Sequence, residues 1–335
     1  MTMTLLKPTA AQSLRIPTLS SYGGEPIINW ESYADILPQA CSCDGGGEES
    51  YNEGDSAPPS YIYSTLGKVR PVFPSLTIEK EFYQVAPPNS VYPPTPELLF
   101  QVLSQVENLY LAREMCWVFT IAKVDSYIIK AISDEEVLAL VEASKPFPKN
   151  PSKESLSTVV GPQGPVPPSG ACNGLELPIV LASDFFFLSL NQYVQEIEEQ
   201  IGDEPVELNV KLTIGILWEA AINPGNTDSY RALNFVLTKY LGLYSDAYRL
   251  LYPPAPPAPS DSSPPSPPSP PPVPYSFVGV TSQPALLQGD QKIYDVIFSY
   301  QAQTNGMIKK RYCQVNITTE FPYLFQGMGE YITTS

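Results

Sequence analysis

The clearest indication of the fold is a stretch near the end of the chain, residues 292–318, which reads KIYDVIFSYQAQTNGMIKKRYCQVNIT. Two runs rich in β-branched and aromatic residues flank Thr304-Asn305-Gly306. An Asn-Gly pair between two such runs is a strong signal for a hairpin, because both residues accept positive φ. A hairpin alone is barely stable in water, so we expect this one to dock onto the body that precedes it.

A proline-rich tract separates this hairpin from the preceding body. Thirteen of the 22 residues from 253 to 274 are proline, which favours a semi-rigid polyproline II spacer. Because the hairpin needs the body to fold, we interpret the tract as an insertion within one domain. The predicted organisation is a flexible segment at 1–60, an α+β main body at 61–252, a proline-rich linker at 253–274, and a segment at 275–335 that completes the same domain.

The main body mixes helical and strand signals, and it predicts an α+β fold with an antiparallel sheet and several packed helices. Ser133 and Glu136 form a capping box before an apolar run, and Thr95 followed by Pro96 opens another helix. The predicted helices span 74–85, 96–106, 134–143, 189–201, 206–222, 228–241 and 244–251. The predicted strands span 61–63, before a turn at Gly67-Lys68, then a hairpin at 115–122 and 126–132, and 175–182. Residues 145–170 are expected to form a loop, and a helical turn is expected after Thr319.

Composition excludes several classes of function. The 335 residues contain no histidine, so neither a Ser-His-Asp triad nor a histidine-based zinc protease can form from this chain. The net charge of −16 makes a nucleic-acid or anionic-membrane partner a poor fit, because phosphate binding relies on Lys and Arg. No stretch reaches about 20 consecutive apolar residues, so we expect a cytoplasmic protein without a membrane span. Neither nucleotide-binding glycine motif is present, and on these grounds the chain reads as a binding protein rather than an enzyme.

The five cysteines allow one metal hypothesis. Cys41 and Cys43 are two residues apart, and Cys116 and Cys172 could complete a Cys₄ zinc site. Structural zinc sites usually use pairs separated by two to four residues, so the spacing does not favour this hypothesis. The alternatives are a core role for Cys116 and Cys313, and a redox or disulfide role for Cys41 and Cys43. No other cofactor is expected.

Several blocks of the chain together resemble a known family. They read YIYSTLGKVRPVFPSLTIEKEFYQ (61–84), LSQVENLYLAREMCWVFT (103–120), GPQGPVPPSGACNGLELPIV (161–180), TDSYRALNFVLTKY (227–240) and the stretch from 292 to 321. In this order they resemble the C-terminal domain of unknown function of the cyanobactin maturation proteases of the PatA and PatG type. Those proteases carry a subtilisin-like domain upstream, whereas here about 60 residues precede the first block, so the chain resembles a stand-alone copy.

The resemblance implies a place in the biosynthesis of ribosomal peptides that are cleaved and macrocyclised. It implies a non-catalytic accessory module that binds a precursor peptide or a cyanobactin-type processing enzyme, and the many Tyr, Phe and Pro residues suit a groove for an extended peptide. A scaffolding homo-oligomer such as a homodimer, and a peptide-modifying enzyme of unrecognised type, stay open as alternatives. The candidate binding residues are the polar members of the blocks, which buried structural hydrogen bonds would also explain: Asn108, Arg113, Asn173, Arg231 and Asn234.

Overall fold

The computed structural model describes residues 60–146, 155–168, 170–202, 205–254, 273–285 and 290–332. The described helices are α1 (Leu76–Val85), α2 (Pro96–Leu103), α3 (Leu109–Glu114), α4 (Asp134–Ala143), α5 (Leu190–Ile201), α6 (Glu207–Trp218), α7 (Asp228–Lys239) and α8 (Gly242–Leu251). The described strands are β1 (Tyr61–Val72), β2 (Cys116–Ile121), β3 (Val124–Lys130), β4 (Ser155–Pro162), β5 (Ile179–Leu181), β6 (Asp184–Ser189), β7 (Tyr275–Pro284), β8 (Ile293–Ala302), β9 (Ile308–Asn316) and β10 (Tyr323–Glu330). The predicted α+β class is confirmed.

The helices begin where the capping signals place them. The hydroxyl oxygens of Ser75, Thr95 and Thr227 each accept a hydrogen bond from a backbone N–H in the first turn of α1, α2 and α7. At α4 both halves of the predicted capping box are formed between Ser133 and Glu136. These caps satisfy N–H groups that have no partner within the helix, so the local sequence fixes each start.

Six strands form a mixed sheet in the order β5-β3-β2-β1-β4-β6, in which only the β3–β5 pair is parallel. Its longest strand, β1, corrects the prediction of a turn at Gly67-Lys68, because the strand continues through this point. Leu66 has a φ of 56° and the register with β4 shifts between Ser64 and Gly67, so the irregularity is a bulge. A side chain at residue 67 would overlap the Phe119 ring, which explains the glycine.

The sequence does not predict two strands of this sheet, β4 and β6. β4 lies within residues 145–170, which were predicted to be a loop, and it pairs with β1 on one side and with β6 on the other. The prolines around β4 disguise a run of Val and Thr that suits a strand. The strand predicted at 175–182 is shorter than expected, since only Ile179–Leu181 pair with β3.

The final hairpin is confirmed as β8 and β9, which pair from Ile293↔Asn316 to Gln301↔Ile308. They form the centre of an antiparallel four-stranded sheet in the order β10-β9-β8-β7. The helical turn predicted after Thr319 is wrong, because this part of the chain forms β10 along the edge of β9. Each flanking strand extends the hairpin, which supplies the additional pairing that an isolated hairpin lacks.

Two apolar cores connect these layers. On one face of the six-stranded sheet, helices α1–α4 bury Phe82, Leu103, Leu111 and Leu140 against the sheet. On the other face, α7 packs against β1 and also against β7, β8 and β9 of the second sheet. The second core therefore lies between the two sheets, with α5, α6 and α8 around it. The predicted linker residues 255–272, and residues 1–59 of the predicted flexible segment, lie outside the described residues.

Candidate functional site

A cleft of about 310 Å³ opens where α3 ends and α4 begins, above the ends of β2 and β3. All of its lining residues fall between Arg113 and Val137, so one continuous helix–hairpin–helix segment builds it. Because β2 and β3 are antiparallel neighbours, the start of β2 and the end of β3 meet under the two helix ends. This arrangement brings an apolar surface and several charged side chains to the same place.

The floor of the cleft is apolar. Trp117 on β2 is paired directly with Ile129 on β3, and both side chains are buried on the same face of the sheet. The Trp117 indole N–H donates to the carbonyl oxygen of Ala112 at 3.0 Å, which fixes the orientation of the ring. Met115 and Val137 also line the cleft and are 5% exposed, whereas Ile132 is 55% exposed. Ile132 therefore supplies most of the accessible apolar surface that a ligand side chain could contact.

The rim of the cleft is charged. The Arg113 guanidinium donates from Nε to Oδ1 of Asp134 at 2.7 Å and from Nη2 to Oδ2 at 2.5 Å. This two-pronged hydrogen bond lowers the pKa of the Asp134 carboxyl, and Asp134 in turn raises the pKa of Arg113. Both side chains are about half exposed, so solvent screens the pair and its contribution to stability is small.

Glu114, Lys130 and the first residues of α4 complete the rim. Lys130 is exposed at the end of β3, and its ammonium forms no ion pair with any of the described residues. The first turn of α4 contains Asp134, Glu135 and Glu136, which offset the partial positive charge of its N-terminus. Glu136 serves the cap rather than the cleft, since its carboxylate accepts hydrogen bonds from the N–H groups of Ile132 and Ser133. Its burial raises the pKa of that carboxyl.

Of the five candidate binding residues, the structure places Arg113 in the cleft and the other four elsewhere. Asn108 is buried and donates to the carbonyl oxygen of Val102 at 2.9 Å. Asn173 is exposed, has a left-handed φ of 54°, and uses its backbone N–H to reach the carbonyl of Pro74. Neither residue lies beside Arg113, so the five residues do not form one site.

Arg231 and Asn234 hold parts of the fold together. The Arg231 guanidinium donates to the carbonyl oxygens of Ile317, Thr319 and Glu320, and it lies over the Tyr61 ring. Asn234 donates to the carbonyl oxygen of Tyr63 at 2.8 Å and exchanges two hydrogen bonds with the amide of Asn223. These contacts agree with the structural explanation that the sequence left open.

Two of the four cysteines proposed as zinc ligands are bonded to each other. Cys116 and Cys172 form a disulfide across 56 residues, with their Cα atoms 5.6 Å apart. A disulfide sulfur is not a thiolate, so in this state the pair cannot ligate zinc. Cys41 and Cys43 lie outside the described residues. Within the described ranges no three or more Cys, Asp or Glu side chains converge as metal ligands.

The remaining cysteine, Cys313 on β9, is a buried thiol. Burial raises its pKa to about 12, so the group is neutral at physiological pH and is not a reactive nucleophile. This agrees with the core role that the sequence offered for Cys313.

Fold and cleft together define an α+β module with two sheets and one amphipathic surface cleft built from a helix–hairpin–helix segment. Residues 61–166 match the family model of the PatG Domain, and this range contains the whole cleft. Residues 61–166 are thus similar to the PatG domain of unknown function, the family that the sequence blocks resemble.

A solved structure supports the fold over a longer range. The structure titled "PatG Domain of Unknown Function" is similar to this chain with a TM-score of 0.61 at 12% sequence identity. The match covers 82% of this chain and 99% of the solved one. At this identity the likeness shows the fold alone. No protein with a curated description matches the chain, and no helix in the described part is long and apolar enough to cross a membrane.

Proposed function

We propose that this protein is a non-catalytic accessory module of cyanobactin-like peptide biosynthesis, and that it binds a precursor peptide in the cleft between α3 and α4. The single observation that carries the proposal is a cleft lined both by apolar side chains around Trp117 and by Lys130, whose ammonium forms no ion pair with any described residue. The PatG-type fold supplies the biosynthetic context. Ribosomal precursors are made in the cytoplasm, where we expect the module to act.

The dimensions of the cleft indicate what it would hold. A volume of about 310 Å³ is at the lower end of the range for ligand pockets, and it suits one or two side chains of an extended peptide. An apolar side chain would rest between Met115 and Ile132, while a neighbouring carboxylate would reach Lys130. The peptide backbone would stay outside the cleft, which leaves the module free to present it to a processing enzyme.

A charge reversal at Lys130 tests the proposal. We expect fluorescence anisotropy to show saturable binding of a labelled precursor peptide encoded beside the gene, and we expect Lys130→Glu to weaken that binding at least about tenfold. The matched control is Lys123→Glu, because Lys123 is also exposed but lies in the β2–β3 turn at the opposite end of the hairpin. The control variant keeps the affinity of the parent protein.

Three outcomes would contradict the proposal. If both variants bind as tightly as the parent protein, the peptide does not use the cleft. If mass spectrometry of the precursor after incubation with the pure protein shows a changed mass or connectivity, the module transforms the peptide, and the enzymatic alternative replaces a binding role. Binding of a processing protease without the peptide would assign the partner instead to that enzyme.

A further inference from the structure

Helix α6 carries apolar residues on two opposite faces. Val210, Ile214 and Leu217 are buried in the core between the sheets. Leu208, Leu212 and Ile216 follow each other at four-residue spacing on the outer face, with exposed fractions of 64%, 47% and 36%. We call these three residues the α6 stripe. A surface helix normally has polar residues on its outer face, so the stripe is an exception that calls for a partner.

The backbone beside the stripe is unusually accessible. Gly215 lies three residues after Leu212 and is exposed, and a Cβ built on it would meet no atom within 4 Å. The open space beside Gly215 allows a side chain or the backbone of a partner to approach α6 closely between Leu212 and Ile216. The stripe covers two helical turns, or about 12 Å, which matches the contact length of a short helix.

The charges around the stripe decide between kinds of partner. α5, α6 and the turn that follows α6 contain one lysine, Lys211, which is paired with Glu207. α8, which also packs against α6, adds the cation Arg249, whose guanidinium donates to the carbonyl oxygen of Ile201. The same elements contain five glutamates: Glu196, Glu198, Glu199, Glu207 and Glu219. α5 packs beside α6, so an acidic border flanks the apolar stripe. A second copy of the chain would bring the same acidic border against itself, and an anionic membrane would be repelled in the same way.

We infer that the α6 stripe is a docking surface for a basic amphipathic helix of a partner protein, with apolar residues at i, i+3 or i+4, and i+7 and with Lys or Arg on both flanks. The apolar residues would cover Leu208, Leu212 and Ile216, and the flanking cations would meet the glutamates of α5 and α6. This is the recognition of a helix by an apolar surface with complementary charges. The inference does not rest on the cleft, because the two surfaces use different elements.

The test uses the full chain and two synthetic 14-residue helical peptides, one built from Leu and Lys and the other from Leu and Glu in the same pattern. Anisotropy measures affinity, and hydroxyl-radical footprinting measures the accessibility of individual leucines. We expect the Leu–Lys peptide to bind and to protect Leu208 and Leu212, while the Leu–Glu peptide does not bind. Leu212→Gln should reduce the affinity at least about tenfold, as for an anchor residue at the centre of an interface.

The control is Leu76→Gln on α1, which also removes an exposed leucine (63% exposed, against 47% for Leu212) but lies outside the stripe. Equal affinities of the parent protein and Leu212→Gln would overturn the inference, since binding would then be non-specific attraction to an acidic surface. It would also be overturned by sedimentation equilibrium that shows self-association abolished by Leu212→Gln, which would assign the stripe to a second copy. Protection of the stripe in the free monomer would show that the chain's own residues already cover it, with the same consequence.

Discussion

Asn234 and Asn223 join their side-chain amides inside the core, where Asn234 is fully buried. The pair links α7 to the turn before it, and Asn234 also holds the carbonyl of Tyr63 on β1. A buried polar group is tolerated only when it is hydrogen-bonded, so these contacts make the residue structural. A polar residue within a family-like block therefore indicates importance without indicating a binding role.

Replacing Asn234 with Ala should remove the side-chain donor to the Tyr63 carbonyl and both hydrogen bonds to Asn223, which keeps its contacts with Ala220 and Gly225. We expect the free energy of unfolding to fall by about 2 kcal/mol, because an unsatisfied buried group costs roughly 1–3 kcal/mol. Urea unfolding followed by circular dichroism measures this loss. Asn191→Ala on the exposed surface of α5 is the control and should change stability by less than about 0.5 kcal/mol. A loss as small as that of the control would show that the buried pair is dispensable.

Asp134 gives a prediction about pH. Its folded pKa is lowered by Arg113, whereas an unfolded Asp titrates near 3.9. The ion pair therefore contributes stability above the unfolded pKa, and the contribution disappears as the pH falls through the lower folded value. An NMR titration of the Asp134 carboxyl should give a pKa below 3.9, and Arg113→Ala should return it towards that value. An Asp134 pKa that is the same in both proteins would contradict the geometry of the rim.

At the scale of elements, the starts of the helices could be predicted and several strands could not. Ser75, Thr95 and Ser133 each act within four residues of their own position, so a local pattern identifies them. A strand such as β4 or β6 is defined by partners that are distant in the sequence, and its own composition is ambiguous. The pattern around Gly67 predicts a turn instead of a bulge for the same reason, since only the pairing with β2 and β4 shows that the strand continues.

The cleft could have been predicted more fully than it was. A capped helix follows directly after a β-hairpin, and alternation along the hairpin places Trp117 and Ile129 on one face. This pattern indicates an apolar surface beneath a helix N-terminus. What the sequence could not show is that α3 ends beside α4, which brings Arg113 to Asp134 and leaves Lys130 free among the described residues.

The disulfide between Cys116 and Cys172 joins the start of β2 to the segment that precedes β5. Because it closes a loop of 56 residues, we expect the double variant Cys116→Ser/Cys172→Ser to lose about 2–4 kcal/mol of unfolding free energy. Urea unfolding under non-reducing conditions measures the difference. Cys313→Ser serves as a comparison in which a buried thiol is changed without loss of a cross-link. A double variant as stable as the parent protein would show that the cross-link does not form in solution.

For the whole molecule, the six-stranded sheet separates two surfaces with different chemistry. The cleft lies on the side of α1–α4 and combines apolar residues with charges of both signs, whereas the α6 stripe lies on the outer face of a helix of the other core and is bordered by glutamates. A module with two such surfaces could hold a peptide at one and a processing enzyme at the other. In a chain with a net charge of −16, the proposed peptide site contains Lys130, whereas the proposed docking surface is acidic.

The most direct test of this account is hydrogen–deuterium exchange of the full chain with and without the precursor peptide. The account predicts that the peptide slows exchange in residues 113–117 and 129–137, the segments that build the cleft, and leaves the peptide itself chemically unchanged. Slower exchange confined to other parts of the chain, with residues 113–137 unaffected, would contradict it.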